Sequence, residues 1–285
     1  AVTSMGLHPF AAWRDVALTD SERYRRLASQ FGWWGRQLLI FGVHTHVGIE
    51  HRDKVAPIMA GVLAHYGQLQ AISAASPFWN GENTGYASNR SMLFRQLPSS
   101  GLPPEFKSWC EIATAAEQML STGLVQEFNE LRWDVRPSPS LGTVELRICD
   151  GVPTIAEVLA LAALAQCLVE HISTLLDAGE PTPRLPYWLV AENKWRAARY
   201  GLDAELILDT DGRHASAPEA IRELVELLMP TAQRLGCTDH LSDVYRILEV
   251  EPSYRRQLAV ARAHDGQLDE VVKALVTEHV AGAPW

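Results

Sequence analysis

Basic residues are in short supply in this sequence. The 285 residues include 25 Lys and Arg against 34 Asp and Glu, which gives a net charge of −9 with histidine neutral. Sequence-independent binding to nucleic acid needs a basic surface, so the composition argues against that function. It leaves a nucleotide pocket open, because a few arginines can dominate a local site. With 47% hydrophobic and 21% charged residues, the chain has the composition of a packed globular protein.

Cysteines and long apolar runs are also scarce. The four cysteines include no C-x-x-C pair, which argues against a zinc knuckle and fits a reducing cytoplasm. Cys149 and Cys167 lie in apolar patterns and are predicted core residues. The longest apolar run, Ile155 to Val169, is shorter than the ~18 residues that span a bilayer, and two polar residues interrupt it. We therefore predict a cytoplasmic protein with no membrane span and no signal peptide.

The common nucleotide-binding and nucleophile motifs are missing as well. The sequence has no G-x-x-x-x-G-K-[ST], no G-x-G-x-x-G after a predicted strand and no G-x-S-x-G elbow. A P-loop, a Rossmann dinucleotide site and a hydrolase nucleophile are therefore not supported.

The sequence divides into two regions that differ in residue pattern. Residues 1–152 mix glycines, aromatics, loops and short strand patterns, whereas residues 153–285 are almost all helical in pattern. This predicts an α+β fold: an antiparallel or mixed sheet with one polar, catalytic face, backed by helices. We expect the second region to pack on the same domain as the first. Helices are predicted over residues 53–75, 104–122, 154–178, 186–200, 218–235, 239–250 and 266–280.

A strand is predicted from Gln37 to Ile49, where apolar and small or polar residues alternate. Period two places His44 and His46 on one face, about 6.6–6.8 Å apart along the strand. Such a pair can bind a divalent metal, or one imidazole can bind the metal while the other contacts a phosphate. The alternative is a polar strand face that meets only water.

The second clear strand runs from Thr143 to Cys149 and places Glu145 and Arg147 on one face. The pair can be a plain surface ion pair, which contributes little to stability. It can also divide the work of a site, with Glu145 holding a hard cation and Arg147 holding phosphate oxygens.

Three more arginines are candidates. Arg90 closes a long loop over residues 76–90 and can bind a substrate carboxylate or anchor its own loop to a backbone carbonyl. Arg132 and Arg136 lie in a stiff, proline-containing segment before the second strand, where they can clamp a polyphosphate or belong to a solvated linker.

Several segments in this order resemble carboxylate-amine ligases of the glutamate–cysteine ligase type 2 family. The segments are G-V-H-T-H-V-G at 42–48, S-P-F-W at 76–79, T-G-Y-A-S at 84–88 followed by Arg90, V-R-P-S-P at 135–139 and G-T-V-E-L-R at 142–147. G-L-H-P-F at 6–10 and K-W-R-A-A-R-Y-G at 194–201 resemble the family too. Several ordered segments are more specific than any one of them.

The resemblance implies a glutamine synthetase-like catalytic sheet that binds ATP with Mg²⁺ or Mn²⁺. It implies that His44 and Glu145 bind metal and that His46 lies near the ATP phosphates. Arg136 and Arg147 would be catalytic and bind phosphate, together with Arg132. The substrate-binding residues would be Trp79, Tyr86, Ser88 and Arg90, with Arg90 on an amino-acid carboxylate.

The implied reaction activates a carboxylate as an acyl phosphate, which an amine such as that of cysteine then attacks. A phosphagen-kinase-like phosphotransferase and a non-catalytic, ATP-binding scaffold are the alternatives. Asn83, Asn89 and Thr45 depart from the family pattern, and the first two leave the substrate open. Family members begin with a glutamate-rich strand that nothing here matches, so we expect an N-terminal segment outside this chain to complete the metal site. A homodimer is expected from the family alone.

Overall fold

The computed structural model of this chain describes residues 2–17, 19–37 and 39–284. Within these ranges it is a mixed α+β structure, as predicted. The helices are α1 Glu22–Arg36, α2 Val55–Ala64, α3 Tyr66–Ser73, α4 Asn89–Phe94, α5 Trp109–Ser121, α6 Ile155–Asp177, α7 Tyr187–Tyr200, α8 Ala217–Leu235, α9 Thr238–Val250, α10 Ser253–Ala263 and α11 Leu268–Ala281. The strands are β1 Thr45–Gly48, β2 Phe78–Trp79, β3 Glu82–Asn83, β4 Ser100–Gly101, β5 Arg132–Trp133, β6 Val135–Ser138, β7 Thr143–Leu146, β8 Glu205–Ile207 and β9 His214–Ser216.

The central sheet is antiparallel and has the strand order β1-β7-β6. Three two-stranded pairs accompany it: β2 with β3 and β8 with β9 are antiparallel, and β4 with β5 is parallel. On the inner face of the central sheet, Val135 and Val144 are fully buried in the main core. The opposite face carries the charged residues. The alternation seen in the sequence therefore becomes a sheet with one apolar and one polar side.

Helix α6 forms the middle of the core. The predicted capping box is present: Thr154 accepts from the Glu157 backbone, and the Glu157 carboxylate accepts from Thr154. α6 packs against α2, α8, α9 and β1. Its length and composition would suit a membrane span, but more than half of that stretch is buried inside the fold, as in the core helix of a globular protein.

One core joins the two predicted regions. Buried residues of β6 and β7 and of helices α2, α6, α8 and α9 belong to the same apolar cluster. This packing agrees with the expectation that the helical part lies on the sheet-forming part, while the boundary at residue 152 stays a prediction.

Two predicted elements differ clearly from the structure, and three helices were missed. The strand over 37–49 forms a ladder only in β1, because Ile40 and Gly42 make single bridges to Leu7 and Asp150 instead; Leu38 lies outside the described residues. The helix over 53–75 divides into α2 and α3 at His65, whose backbone leaves helical geometry. Helices α1, α4 and α10 were not predicted, since polar and charged residues blur their apolar pattern.

Candidate functional site

The register of the central sheet aligns three of the predicted site residues. His46 on β1 pairs with Glu145 on β7, and Glu145 pairs with Arg136 on β6. Directly opposed residues of antiparallel strands project to the same face. Arg136 Nε accordingly donates to Glu145 Oε2 at 2.6 Å, and His46 Nε2 lies 3.7 Å from Glu145 Oε1.

His44 and Arg147 complete this arrangement from the strand ends. Arg147 Nη1 donates to Glu145 Oε1 and lies 3.2 Å from His44 Nδ1. His44 Nδ1 is itself 3.4 Å from Glu145 Oε1. We call these five residues the Glu145 cluster: His44, His46, Arg136, Glu145 and Arg147.

The cluster is enclosed at its centre and open at its rim. The Glu145 side chain is 3% exposed, whereas each imidazole is 34% exposed. His46 Nδ1 lies 2.9 Å from Thr143 Oγ1, which orients the ring. A ligand arriving from solvent would therefore meet the histidines first, with the arginines and the glutamate behind them.

Electrostatics set the charge states of the cluster. Burial opposes ionisation of Glu145, but Arg147 and Arg136 outweigh it and hold the pKa of the carboxyl below its ordinary value. Burial, followed by Arg147 and Arg90, lowers the pKa of His44 to about 3. His44 is therefore a neutral imidazole at physiological pH, with a lone pair to offer.

Arg90 lies beside the cluster in a supporting position. Its guanidinium is buried and donates to the carbonyl oxygens of Ile148 and Arg147 at 3.3 and 3.2 Å. Arg90 Nη1 is also 3.6 Å from Asp150 Oδ1. These contacts favour the anchoring alternative for Arg90, and its role in binding a substrate carboxylate stays a prediction.

Asp150 holds the loop over residues 76–90 to the sheet and was missed in the sequence. Its oxygens accept from Ser76 Oγ at 2.7 Å, Ser88 Oγ at 2.9 Å and the Ala75 backbone at 2.9 Å. We call Ser76, Ser88, Arg90 and Asp150 the Asp150 junction. An acid directly after the predicted strand was the available signal, but nothing in the sequence indicated its partners.

The other predicted loop residues have structural contacts of their own. Ser88 is fully buried and committed to Asp150. Tyr86 is partly exposed beneath the guanidinium of Arg199, 5.5 Å from its ring centroid. Trp79 pairs with Glu82 in the β2–β3 hairpin. Of the three, Tyr86 and Trp79 keep accessible surface for a ligand.

Arg132 and Arg136 point to different places. Arg132 Nη1 donates to the Glu130 carbonyl at 3.0 Å, and its guanidinium lies 5.1 Å from the ring centroid of Phe31 in α1. Arg136 turns to Glu145 instead, and its Nη1 also donates to the Asn129 carbonyl at 2.6 Å. The structure therefore brings Arg136 into the cluster and turns Arg132 toward α1.

A buried ion pair beneath the sheet was also missed. Lys194 Nζ donates to Asp134 Oδ2 at 2.5 Å and lies 5.3 Å from the ring centroid of Tyr66. The Asp134 carbonyl accepts from the Arg147 backbone at 2.8 Å, so this pair is tied to the strand that carries the cluster. Lys194 lies in one of the segments that resemble the family, which was the signal available.

The donor set answers in part whether a metal fits. Among the residues described, no group of three or more His, Cys, Asp and Glu side chains is arranged to hold a metal ion. Both oxygens of Glu145 accept from guanidinium groups. Among the described residues, Glu145 and neutral His44 are therefore too few donors to hold a divalent cation by themselves, and a cation here would need further oxygen ligands.

Comparisons with known proteins show which family this chain resembles. Residues 1–274 match the family model of glutamate-cysteine ligase family 2. The chain is 52% identical over 271 residues to a protein of Leifsonia xyli named "Putative glutamate--cysteine ligase 2", covering 95% of this chain and 72% of that relative. It is 51% identical over 275 residues to a relative of the same name from Mycobacterium bovis, covering 96% of this chain and 73% of the relative.

Proposed function

The chain belongs to glutamate-cysteine ligase family 2 and is a ligase, and we propose that it joins an amino-acid carboxylate to an amine in a reaction driven by ATP. The observation that carries the ATP part is the Glu145 cluster. Arg136 and Arg147 place two guanidinium groups around one carboxylate on an accessible sheet face. With Arg90 alongside, positive charge exceeds negative charge at this face, which supports binding of a polyphosphate.

Each member of the cluster has a proposed part in that binding. Arg136 and Arg147 bind phosphate oxygens, and partly exposed His46 approaches the phosphates from the rim. Glu145 and His44 would hold a divalent cation, Mg²⁺ or Mn²⁺, which supplies charge neutralisation on the phosphates when bound. Further acidic ligands, which the family resemblance places in a separate segment, would complete its coordination.

The proposed chemistry needs no enzyme nucleophile. A carboxylate is a poor electrophile, and its oxide is a poor leaving group. A carboxylate oxygen attacks the γ-phosphorus of ATP, the bond to ADP breaks, and an acyl phosphate forms. The amine then attacks the acyl carbon, the C–O bond to phosphate breaks, and the amine loses a proton. Arg136 and Arg147 stabilise charge on the phosphoryl group in transfer.

The names of the relatives favour glutamate as the acyl donor and cysteine as the amine. Asn83 and Asn89 lie in the loop expected to contact substrate, and Asn83 Oδ1 accepts from the Gly85 backbone at 2.9 Å. They make a test of several amino acids necessary. Membership in a ligase family argues against the phosphagen-kinase alternative. The scaffold alternative predicts that the protein binds ATP without hydrolysing it.

The test is ADP release from Mg-ATP with glutamate, with and without cysteine. We expect release that depends on glutamate, rises with cysteine and yields a product containing both amino acids by mass spectrometry. His44→Ala should abolish the cysteine-dependent release. Arg213→Ala is the matched control, since Arg213 is exposed and its side chain pairs with Glu223 on the surface.

Two outcomes would contradict the proposal. ADP release at the same rate with and without any of the amino acids and amines supplied would indicate an ATPase. ATP binding without release across a panel of donors and acceptors, by protein that is folded, would indicate a scaffold.

A further inference from the structure

Two cysteines meet at a helix junction away from the polar sheet face. Cys167 lies in the middle of α6, and Cys237 follows α8 as the residue before α9. Their Sγ atoms are 3.5 Å apart although 70 residues separate them in sequence. Neither cysteine belongs to the Glu145 cluster or to the Asp150 junction.

The backbone explains why the two sulfurs meet. Gly236 takes a left-handed conformation with φ of 70°, which ends α8 and turns the chain into α9. Both α8 and α9 pack against α6, so the turn lies over the middle of α6. A disulfide has an S–S distance of about 2.05 Å, so a further approach of about 1.5 Å, by side-chain rotation, would join these sulfurs.

The two thiols differ in access. Cys167 is fully buried, whereas Cys237 is partly exposed. Burial and the neighbouring Cys237 sulfur raise the pKa of Cys167 to about 12, so oxidation does not start at this thiol. Cys237 is therefore the sulfur that a solvent-borne oxidant reaches first, and Cys167 is placed to resolve the product.

We propose that Cys167 and Cys237 form an oxidation site that reacts with a hydroperoxide and closes to an intramolecular disulfide. In the first step the Cys237 sulfur attacks the peroxide, the O–O bond breaks, and a sulfenic acid and an alcohol or water form. In the second step the Cys167 sulfur attacks the Cys237 sulfur, and its proton leaves with the hydroxyl group as water. Together the two thiols lose two electrons, and one peroxide is reduced by them.

The other two cysteines provide a comparison within the chain. Cys149 is buried and donates to the Leu69 carbonyl at 3.9 Å, and Cys110 is exposed on α5. Among the residues described, neither forms a hydrogen bond to another sulfur. Disulfides in reducing compartments are usually transient and regulatory, which suits a reduced resting state at the junction. A thiol reductant should reverse the cross-link.

The experiment treats the fully reduced chain with hydrogen peroxide and follows its intact mass without reductant. We expect a loss of two hydrogens, a linked peptide pair containing Cys167 and Cys237, and a thermal midpoint higher by about 5 °C or more, because the cross-link restricts the unfolded chain. Cys237→Ser should neither lose two hydrogens nor gain stability on treatment. Serine is a favoured helix N-cap, so this variant should fold.

Cys110→Ser is the matched control and should behave as the parent chain does. The proposal is overturned if the parent chain gains oxygen without the linked peptides, if the link involves Cys110 or Cys149, or if Cys237→Ser still loses two hydrogens. Each readout is independent of ligase activity, so failure of the proposed function would leave this test intact.

Discussion

Glu145 and Asp150 lie five residues apart along one stretch of chain, and the fold treats the two carboxylates in opposite ways. Glu145 accepts from two guanidinium groups at the enclosed centre of a cluster whose histidines face solvent, and its pKa is lowered. Asp150 is buried among hydroxyl and backbone donors, and its pKa is raised, chiefly by burial. The charged side chains of the Glu145 cluster lie next to an open sheet face, which suits ligand binding. The buried Asp150 carboxylate instead holds the loop over residues 76–90 to the sheet through hydrogen bonds.

This contrast explains why Arg90 and Arg147 differ despite being neighbours. Both guanidinium carbons lie 5.9 Å from the ring centroid of Phe94. Arg147 directs Nη1 to the Glu145 cluster, whereas Arg90 directs its nitrogens to backbone carbonyls at the Asp150 junction. The same residue type thus serves the proposed reaction in one case and the loop in the other.

The largest expected effect comes from breaking the Asp150 junction. Asp150→Ala removes the acceptor of three hydrogen bonds and leaves Arg90 buried without its carboxylate. We expect a loss of about 3–5 kcal/mol in the free energy of unfolding and a thermal midpoint lower by roughly 10 °C. Denaturant unfolding measures the change. Asp211→Ala, at an exposed turn, is the control, and equal stability of the two variants would refute the junction's role.

Breaking the Glu145 cluster should affect rate rather than stability. Arg136→Ala removes one of two guanidinium groups from the proposed phosphate site, and we expect ligase turnover to fall by about 100-fold or more. The thermal midpoint should move less than in Asp150→Ala, because Arg147 still pairs with Glu145 when Arg136 is removed. Steady-state kinetics and calorimetry on one preparation separate the two effects. If Arg136→Ala lowered the thermal midpoint as much as Asp150→Ala does and left turnover unchanged, Arg136 would have a structural role and not the proposed catalytic one.

Gly42, before β1, and Gly48, within β1, allow a smaller test of how closely Arg90 is packed at the Asp150 junction. A Cβ on Gly42 would lie 2.8 Å from the guanidinium carbon of Arg90, whereas a Cβ on Gly48 would meet open space. Gly42→Ala should lower the free energy of unfolding by about 1–3 kcal/mol through overpacking. Gly48→Ala should be nearly neutral in stability. Urea titration distinguishes them, and a neutral Gly42→Ala would show that Arg90 can move away.

The smallest expected effect is a difference in pH dependence. Burial raises the pKa of Asp150 above 3.8, so the folded state keeps this proton to a higher pH than the unfolded state does. Its contribution to stability is therefore greatest below pH 3.8 and declines as the pH rises through the folded-state pKa. Asp150→Asn should lack that decline when urea unfolding is compared from pH 3.5 to 7. Identical pH profiles for the parent and the variant would contradict a raised pKa.

Local patterns were enough to predict much of the site. Alternation placed His44 with His46 and Glu145 with Arg147, because the strand period is a property of each segment alone. The capping box of α6 was predicted for the same reason, since Thr154 and Glu157 are three residues apart. Helix α10 and the break at His65 were missed because no local signal of comparable strength marks them.

The sequence by itself determined the α+β class, the two-faced strands, the α6 start and the resemblance to a carboxylate-amine ligase family. Each of these depends on residue order and short spacing, which are present before the chain folds. Only the tertiary structure decided that His46, Glu145 and Arg136 form one row, that Asp150 fastens the loop, and that the sulfurs of Cys167 and Cys237 meet. Those depend on strand register and on helix packing between segments that are distant in sequence, which no local pattern encodes.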